Sequence, residues 1–345
     1  GGSGGFAKPR AAGMAEEVGG GSGGFAKPRA AGMAEEVGGG SGGFAKPRAA
    51  GMAVDVERHR DHVFVLGADF SVMFDRHAGR IVEWQVAGRT LLELGPRLNF
   101  WRPLIDNERA GGAGKAVQRN YLAAHLHQLQ HRIDRVAIDQ PGADHVRISV
   151  EARIGPPAGA IAITAKYTYD FDAAGRIALH ATGDFEGEGW PEFVPKIGLQ
   201  MHLPASIDRF AWYGRGPGES YHDSKTAPWI GLHEADVDAM YTPYAYPQEF
   251  GNRTDCRWVA ATDDRGIGLR ARGQPIIDFS ARRFADAAID AATHPVDLKP
   301  EPFVVFNLDH AHSGLGSGSC GPALDEQHRL VPGPFDFGLA FEPVR

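Results

Sequence analysis

The stretch "IAITAKYTYDFDAAGRIALHATGDF", residues 161–185, decides the fold. Between Ile161 and Phe171 apolar residues alternate with Thr164, Lys166, Thr168 and Asp170, and the run from Ile177 to Phe185 repeats the pattern. A period of two sends successive side chains to opposite faces, so each run reads as a strand with one face turned inward. The intervening "DAAGR" (172–176) puts a glycine where a hairpin loop needs a left-handed backbone, which makes the two strands antiparallel neighbours.

Working outward, the same signature recurs along the chain. "VFVL" (63–66), "DFSVMFD" (69–75), "RIVEWQV" (80–86), "VRISVEAR" (146–153), "RFAWYG" (209–214), "PFVVFNL" (302–308) and "FDFGLAFE" (335–342) are β-rich, and "RHAGR" (76–80) reads as a second hairpin loop. Helical periodicity is confined to short pieces near 119–131 and 284–293. The alternation of strand and long helix that a parallel α/β fold requires is missing. Residues 54–345 are therefore expected to form one all-β domain, a large two-sheet antiparallel sandwich rather than a small barrel.

Residues 1–53 read differently. The unit "GGSGGFAKPRAAGMAEEVG" fills 1–19, recurs letter for letter at 20–38 and begins again at 39. Selected solenoid repeats drift at exposed positions, so perfect identity points to recent duplication or cloning. Each unit has too few apolar residues to offset chain entropy, and the expectation is a disordered Gly-rich linker. The rival reading is that "FAKPRAAGMAEEV" is a short partner-binding helix displayed in copies.

Composition narrows the function. The chain has 345 residues, 43% hydrophobic and 23% charged, with a net charge of −7. An acidic balance without dense Lys/Arg patches argues against nucleic acid or an anionic membrane surface as partner. No apolar run approaches the roughly 18–20 residues that span a bilayer. Two cysteines, Cys256 and Cys320, are too few for a disulfide framework, and a reducing cytoplasm fits them best.

Several local features invite chemistry and have plainer explanations. In "GLGSG" (314–318) the third glycine of a phosphate-cradling motif would fall at Ser319, and Pro322 blocks the helix such a loop must open. "HAH" (310–312) and "HLH" (125–127) each bring two imidazoles to one face if extended, but two nitrogens do not make a metal site. The aromatics of "DAMYTPYAYPQEF" (238–250) would suit a sugar-stacking platform, although packing of the loop onto its own sandwich is the commoner use.

The order of motifs says more than any one of them. "RLNFWRPLIDNE" (97–108), "WYGRGPGESYHDSKTA" (212–227), "YTPYAYPQEFGNRTDCRW" (241–258), "FADAAIDAATHPVDL" (284–298) and "FNLDHAHSGLGSGSCGP" (306–322) follow one another as in a known family. In that order they closely resemble the C-terminal domain, or separate small subunit, of glycoside hydrolase family 2 β-galactosidases. The family patterns run approximately NFWRAPTDND, GRGPxENYxDR, YxxPQExGxRxxxRW and GxGGxxSWGP. The resemblance covers residues 54–345 and implies a galactose-mutarotase-like supersandwich.

It also implies what the chain does not do alone. In this family the two catalytic glutamates and the catalytic metal belong to a (β/α)8 barrel, so no catalytic residue and no metal or other cofactor is expected here. The implied partners are that barrel and a galactoside substrate. The late glycine-rich loop projects toward the barrel's sugar pocket, which makes Gly318, Ser319 and Cys320 the implied substrate-binding residues. Cys320 stands where "SWGP" has a tryptophan, and a thiol offers less area and no π-face. Cys320 could instead be a small buried residue in a loop that never meets sugar. Asp106 and Asn107 are expected to cap a loop near the barrel interface, although Pro103-Leu104-Ile105 departs from the common pattern. Arg215, Glu219, Tyr221 and Asp223 match the family's polar loop, with Ser220 for the usual Asn, and are expected to be structural and interfacial. The alternatives are a stand-alone carbohydrate-binding module or an aldose epimerase of the same fold.

Overall fold

A computed structural model describes residues 53–109 and 112–345. The reading of residues 1–53 as a linker lies outside these residues apart from Ala53. Seventeen strands are described. In chain order they are β1 (Asp55–Arg58), β2 (His62–Leu66), β3 (Phe70–Asp75), β4 (Arg80–Val86), β5 (Arg89–Leu92), β6 (Leu94–Asn99), β7 (Gln130–Gly142), β8 (His145–Gly155) and β9 (Ala162–Asp172). They continue as β10 (Ile177–Glu186), β11 (Lys196–Pro204), β12 (Arg209–Gly216), β13 (Trp229–Asp236), β14 (Arg253–Thr262), β15 (Gly268–Arg282), β16 (Phe303–His312) and β17 (Phe335–Val344). The helices are α1 (Asp106–Arg109), α2 (Gly112–Ala123) and α3 (Asp286–Ala291). None is long and apolar enough to cross a membrane.

The first five strands form one sheet in sequence order, and the other twelve form a second. Every ladder is antiparallel, as the two hairpin loops predict. Gly79 and Gly175 both adopt positive φ, 63° and 77°, in those loops. On β9 the inward row Ile163, Ala165, Tyr167, Tyr169 and Phe171 is buried, and β10 sets Ile177, Leu179 and Ala181 opposite Phe171, Tyr169 and Tyr167. Phe74 of the small sheet meets Tyr169 of the large one edge-on at 5.4 Å, so these rows form the layer between the sheets.

The large sheet branches at β15. Its first half, to Gln274, lies between β14 and β17, and its second half, from Asp278, leaves β17 for β16. The exchange falls beside Pro275, which has no N–H to give a ladder. That switch adds β16 and, through it, β11, and the segments just after β16 and just before β11 meet at the site. The helix expected near 119–131 is displaced: α2 ends at Ala123, and residues from Gln130 onward are strand β7. At its start, exposed Gln130, Arg132 and Asp134 alternate with half-buried His131 and Ile133, a strand period in place of the helical one.

Candidate functional site

The five motifs lie far apart in sequence and converge at one end of the sandwich, around the loop after β16. Ser313 starts that loop with its backbone N–H on Pro195 O (2.9 Å) and its hydroxyl on Val194 O (2.7 Å). Two side chains then hold the glycines. The Asp223 carboxylate accepts from Leu315 N (2.8 Å) and Gly316 N (2.7 Å). Asn107 uses its whole amide: Nδ2 donates to Leu315 O (3.2 Å) and Gly316 O (2.6 Å), and Oδ1 accepts from Ser319 N (3.1 Å) and Ser319 Oγ (2.7 Å). The glycines are required by that grip. A Cβ on Gly314 would fall 2.6 Å from Asp223 Cγ, and Gly316 has φ of 65°.

Each latch is itself held. Asn107 sits on α1, whose one turn is too short to persist on helical hydrogen bonds alone. Buried Arg102 grips Glu108 through two 2.8 Å bonds, and Glu108 also accepts from Ile105 N at 3.2 Å. Burial disfavours the Arg102 charge, but Glu108 more than offsets this and raises its pKa above the usual arginine value. Arg109 closes the other side by donating to Pro247 O (2.8 Å) and pairing with Asp290 (3.3 Å). Asp290, on α3, also accepts from Trp101 Nε1 (2.8 Å) and Leu104 N (3.0 Å).

Asp223 sits in a tight turn closed by the Tyr221–Ser224 bridge. Arg215 fixes the next residues through Asp255 Oδ2 (2.5 Å), Lys225 O (2.8 Å) and Pro228 O (2.9 Å). Glu219 collects Thr242 Oγ1 (3.2 Å), the Tyr244 hydroxyl and Gly251 N (2.7 Å), which ties the "YTPYAYPQEF" loop to this turn. The Tyr221 ring is buried against His312, centroids 5.4 Å apart.

The sequence-predicted residues therefore sort by position. Asn107, Asp223, Gly318 and Ser319 come together at the glycine loop. Arg215, Glu219 and Tyr221 stand beneath it as supports for Asp223. Asp106 touches the neighbouring loop, its N–H donating to Gln248 Oε1 at 2.8 Å. Cys320 is exposed, which overturns the reading of it as a small buried residue; the buried thiol is Cys256 on β14. The aromatic stretch 238–250 is used for packing, as Tyr241 meets Phe250 at 5.0 Å and Phe284 at 5.5 Å. Tyr246 is the exception: its ring stays exposed beneath the Arg109 guanidinium at 4.8 Å. The two histidines of "HAH" do not share a face, because the β11–β16 ladder skips His310 at a bulge. His310 stacks on Phe337 while His312 turns into the core.

Sequence reasoning missed the buried ions under the loops. Arg282 pairs with Glu249 (2.9 Å) and Asp286 (2.5 Å), and Lys196 pairs with Asp309 (3.1 Å). Burial raises Asp309 to a pKa of about 6, against the opposing pull of Lys196. Nothing in a single sequence distinguishes such buried charges from surface ones.

Comparison with known proteins agrees with the motif order. A β-galactosidase of Priestia megaterium is 31% identical over 261 residues, 76% of this chain and 24% of the relative. Those of Kluyveromyces lactis and Streptococcus thermophilus are 29% and 28% identical over 81% and 82% of this chain, each match covering 27% of the relative. The chain thus spans about a quarter of the length of these relatives. Among solved structures, a galactose 1-epimerase from Lactobacillus acidophilus aligns with a TM-score of 0.42 at 10% identity, over 85% of this chain and 99% of that one. Residues 66–341 match the family described as beta galactosidase small chain, and the chain belongs to that family.

Proposed function

We propose that this chain is the C-terminal domain or small subunit of a β-galactosidase and completes the sugar-binding site of a (β/α)8 barrel that hydrolyses terminal β-D-galactosides. The observation that carries this is the state of the glycine loop. Asn107 and Asp223 fix its base at Leu315 and Gly316 by four hydrogen bonds, Asn107 takes two more from Ser319, and the tip beyond, at Cys320 and Gly321, is left exposed. A loop ordered at its base and bare at its tip is built to present that tip to something outside its own domain. In this reading Ser319 and Cys320 face the substrate, while Gly318, which the sequence also placed there, is buried behind them; the acid and nucleophile of hydrolysis sit on the barrel with any metal, and the assembly works in the cytoplasm. The Ser319 hydroxyl already donates to Asn107, so it offers sugar an acceptor. Cys320 contributes a small contact in place of a ring.

Thiol accessibility tests this assembly. Cys320 is exposed and Cys256 buried, so a water-soluble disulfide reagent should modify one thiol per chain when the chain is alone. With the barrel portion of a related enzyme, size-exclusion chromatography with mass detection should show a one-to-one complex in which that thiol no longer reacts. A complex that leaves Cys320 fully reactive would place the loop tip away from the interface.

A further inference from the structure

A cleft of about 610 Å³ opens between β6, β7, β11 and α3, with Asn99, Trp101, His127, His131, Gln200 and Asp286 among its lining residues. Two arginines stand beside its wall. Arg97 is the cross-strand neighbour of Gln200, and Arg80 lies close enough for its charge to disfavour the charge on Arg97. Both are half-buried, and each has its Nε buried without a partner. Neither guanidinium forms an ion pair with any described residue.

The carboxylates that come nearest are already committed. Asp75 faces Arg80 across the hairpin but turns Oδ1 back onto His77 N (2.7 Å) and Ala78 N (2.8 Å). Asp286 accepts from Arg282 on one oxygen (2.5 Å) and from Gln200 on the other (2.9 Å). Two imidazoles complete the cluster. His131 lines the cleft with Nδ1 3.5 Å from the Tyr167 hydroxyl, and His202, two residues beyond Gln200 on β11, lies flat on Phe303 at 3.9 Å. Burial and the two arginines hold His131 neutral, at a pKa of about 3. Asp75 attracts the Arg80 charge without pairing with it, so two positive charges, each with its Nε unpartnered, face a single carboxylate and form an incompletely balanced site.

We propose that this end of the cleft binds an oxyanion, phosphate or sulfate, either free or as the charged end of a small polar molecule. Guanidinium forks match the oxygens of such a group two at a time, and a bound anion would relieve the repulsion between Arg80 and Arg97.

Isothermal titration of the whole chain at pH 7, with ionic strength held by sodium chloride, tests this with four probes: phosphate, sulfate, glucose 6-phosphate and glucose. Phosphate and sulfate should both bind, glucose alone should not, and Arg80→Gln and Arg97→Gln should each weaken binding at least tenfold. Glucose 6-phosphate binding tenfold more tightly than phosphate would identify the oxyanion as the end of a larger ligand; equal affinity would identify the free ion. Both results support the site. Because either variant could fold poorly, the unmodified chain supplies a second reading, in which the His131 ring resonances move during the phosphate titration with the calorimetric midpoint. Absence of phosphate binding above the chloride control, binding that survives both substitutions, or unmoved His131 resonances would overturn the proposal.

Discussion

Replacing Asp223 by Asn is the sharpest test of the loop latch. The carboxylate receives two successive backbone N–H groups, at 2.8 and 2.7 Å, from Leu315 and Gly316. An amide of the same shape has one acceptor oxygen and must turn its NH2 toward the other donor, so one bond is lost and one N–H is left facing another. Hydrogen bonds to a charged group contribute about 1.5–3 kcal/mol each, and Asp223 is only half-buried, which favours the lower half of that range. Losing one and weakening the other costs about 2–3 kcal/mol, or roughly 30- to 150-fold in the opening equilibrium of the loop. The effect should be local, because the loop base at Ser313 has its own anchors on Val194 and Pro195. Hydrogen exchange read by mass spectrometry should therefore show residues 314–319 exchanging tens of times faster in Asp223→Asn, with β11 and β16 unchanged. Unchanged loop protection would refute the latch, and equal loss of protection throughout the sheet would show that Asp223 serves global stability instead.

Other predictions follow from the same geometry. Phe74 is fully buried against Tyr169, so Phe74→Ala should cost about 3–5 kcal/mol in denaturant unfolding, and a loss under about 1 kcal/mol would mean that the sheets do not meet there. Cys320→Trp should leave the melting temperature of the isolated chain nearly unchanged, because the tip is exposed, and should lower the Michaelis constant of the assembled enzyme about fivefold, the worth of roughly 1 kcal/mol of aromatic contact. A large drop in melting temperature with an unchanged Michaelis constant would remove Cys320 from the sugar site. His222 lies 3.3 Å from Asp278, whose hydrogen bond raises the imidazole pKa above its usual value against the cost of burial. Its charged form therefore stabilises the fold below about pH 6.5, and this contribution is lost as the pH climbs through the raised folded value. NMR titration should place the His222 midpoint above 6.5, and Asp278→Asn should lower it; an unmoved midpoint would contradict the pairing.

The legibility of the fold depended on which faces each strand buries. β9 and β10 bury one face, so their alternation of aromatic and polar residues reads directly as strand. β11 is covered on both faces over Lys196–Leu199, and "KIGL" shows no period to read. β15 was hidden for another reason: the sequence around Gln274–Pro275 looks like a loop, while its backbone is a strand exchanging β17 for β16. At the site, the motif order pointed to Asn107 and Asp223, but a single sequence does not show that one side chain grips the loop's carbonyls and the other its N–H groups. Glu108, Asp290 and Glu249 stand within the quoted motifs, but one sequence does not pair them with Arg102, Arg109 and Arg282, which lie 6, 181 and 33 positions away.

The most direct measurement of the central claim is hydrolysis of a chromogenic β-galactoside by three samples: this chain, the barrel portion of a related β-galactosidase, and the two together. The account predicts no turnover above background from the chain, little from the barrel, and strong turnover from the mixture that falls when Asp223→Asn loosens the loop. Turnover by the purified chain alone, or a barrel whose activity is indifferent to the chain, would contradict it.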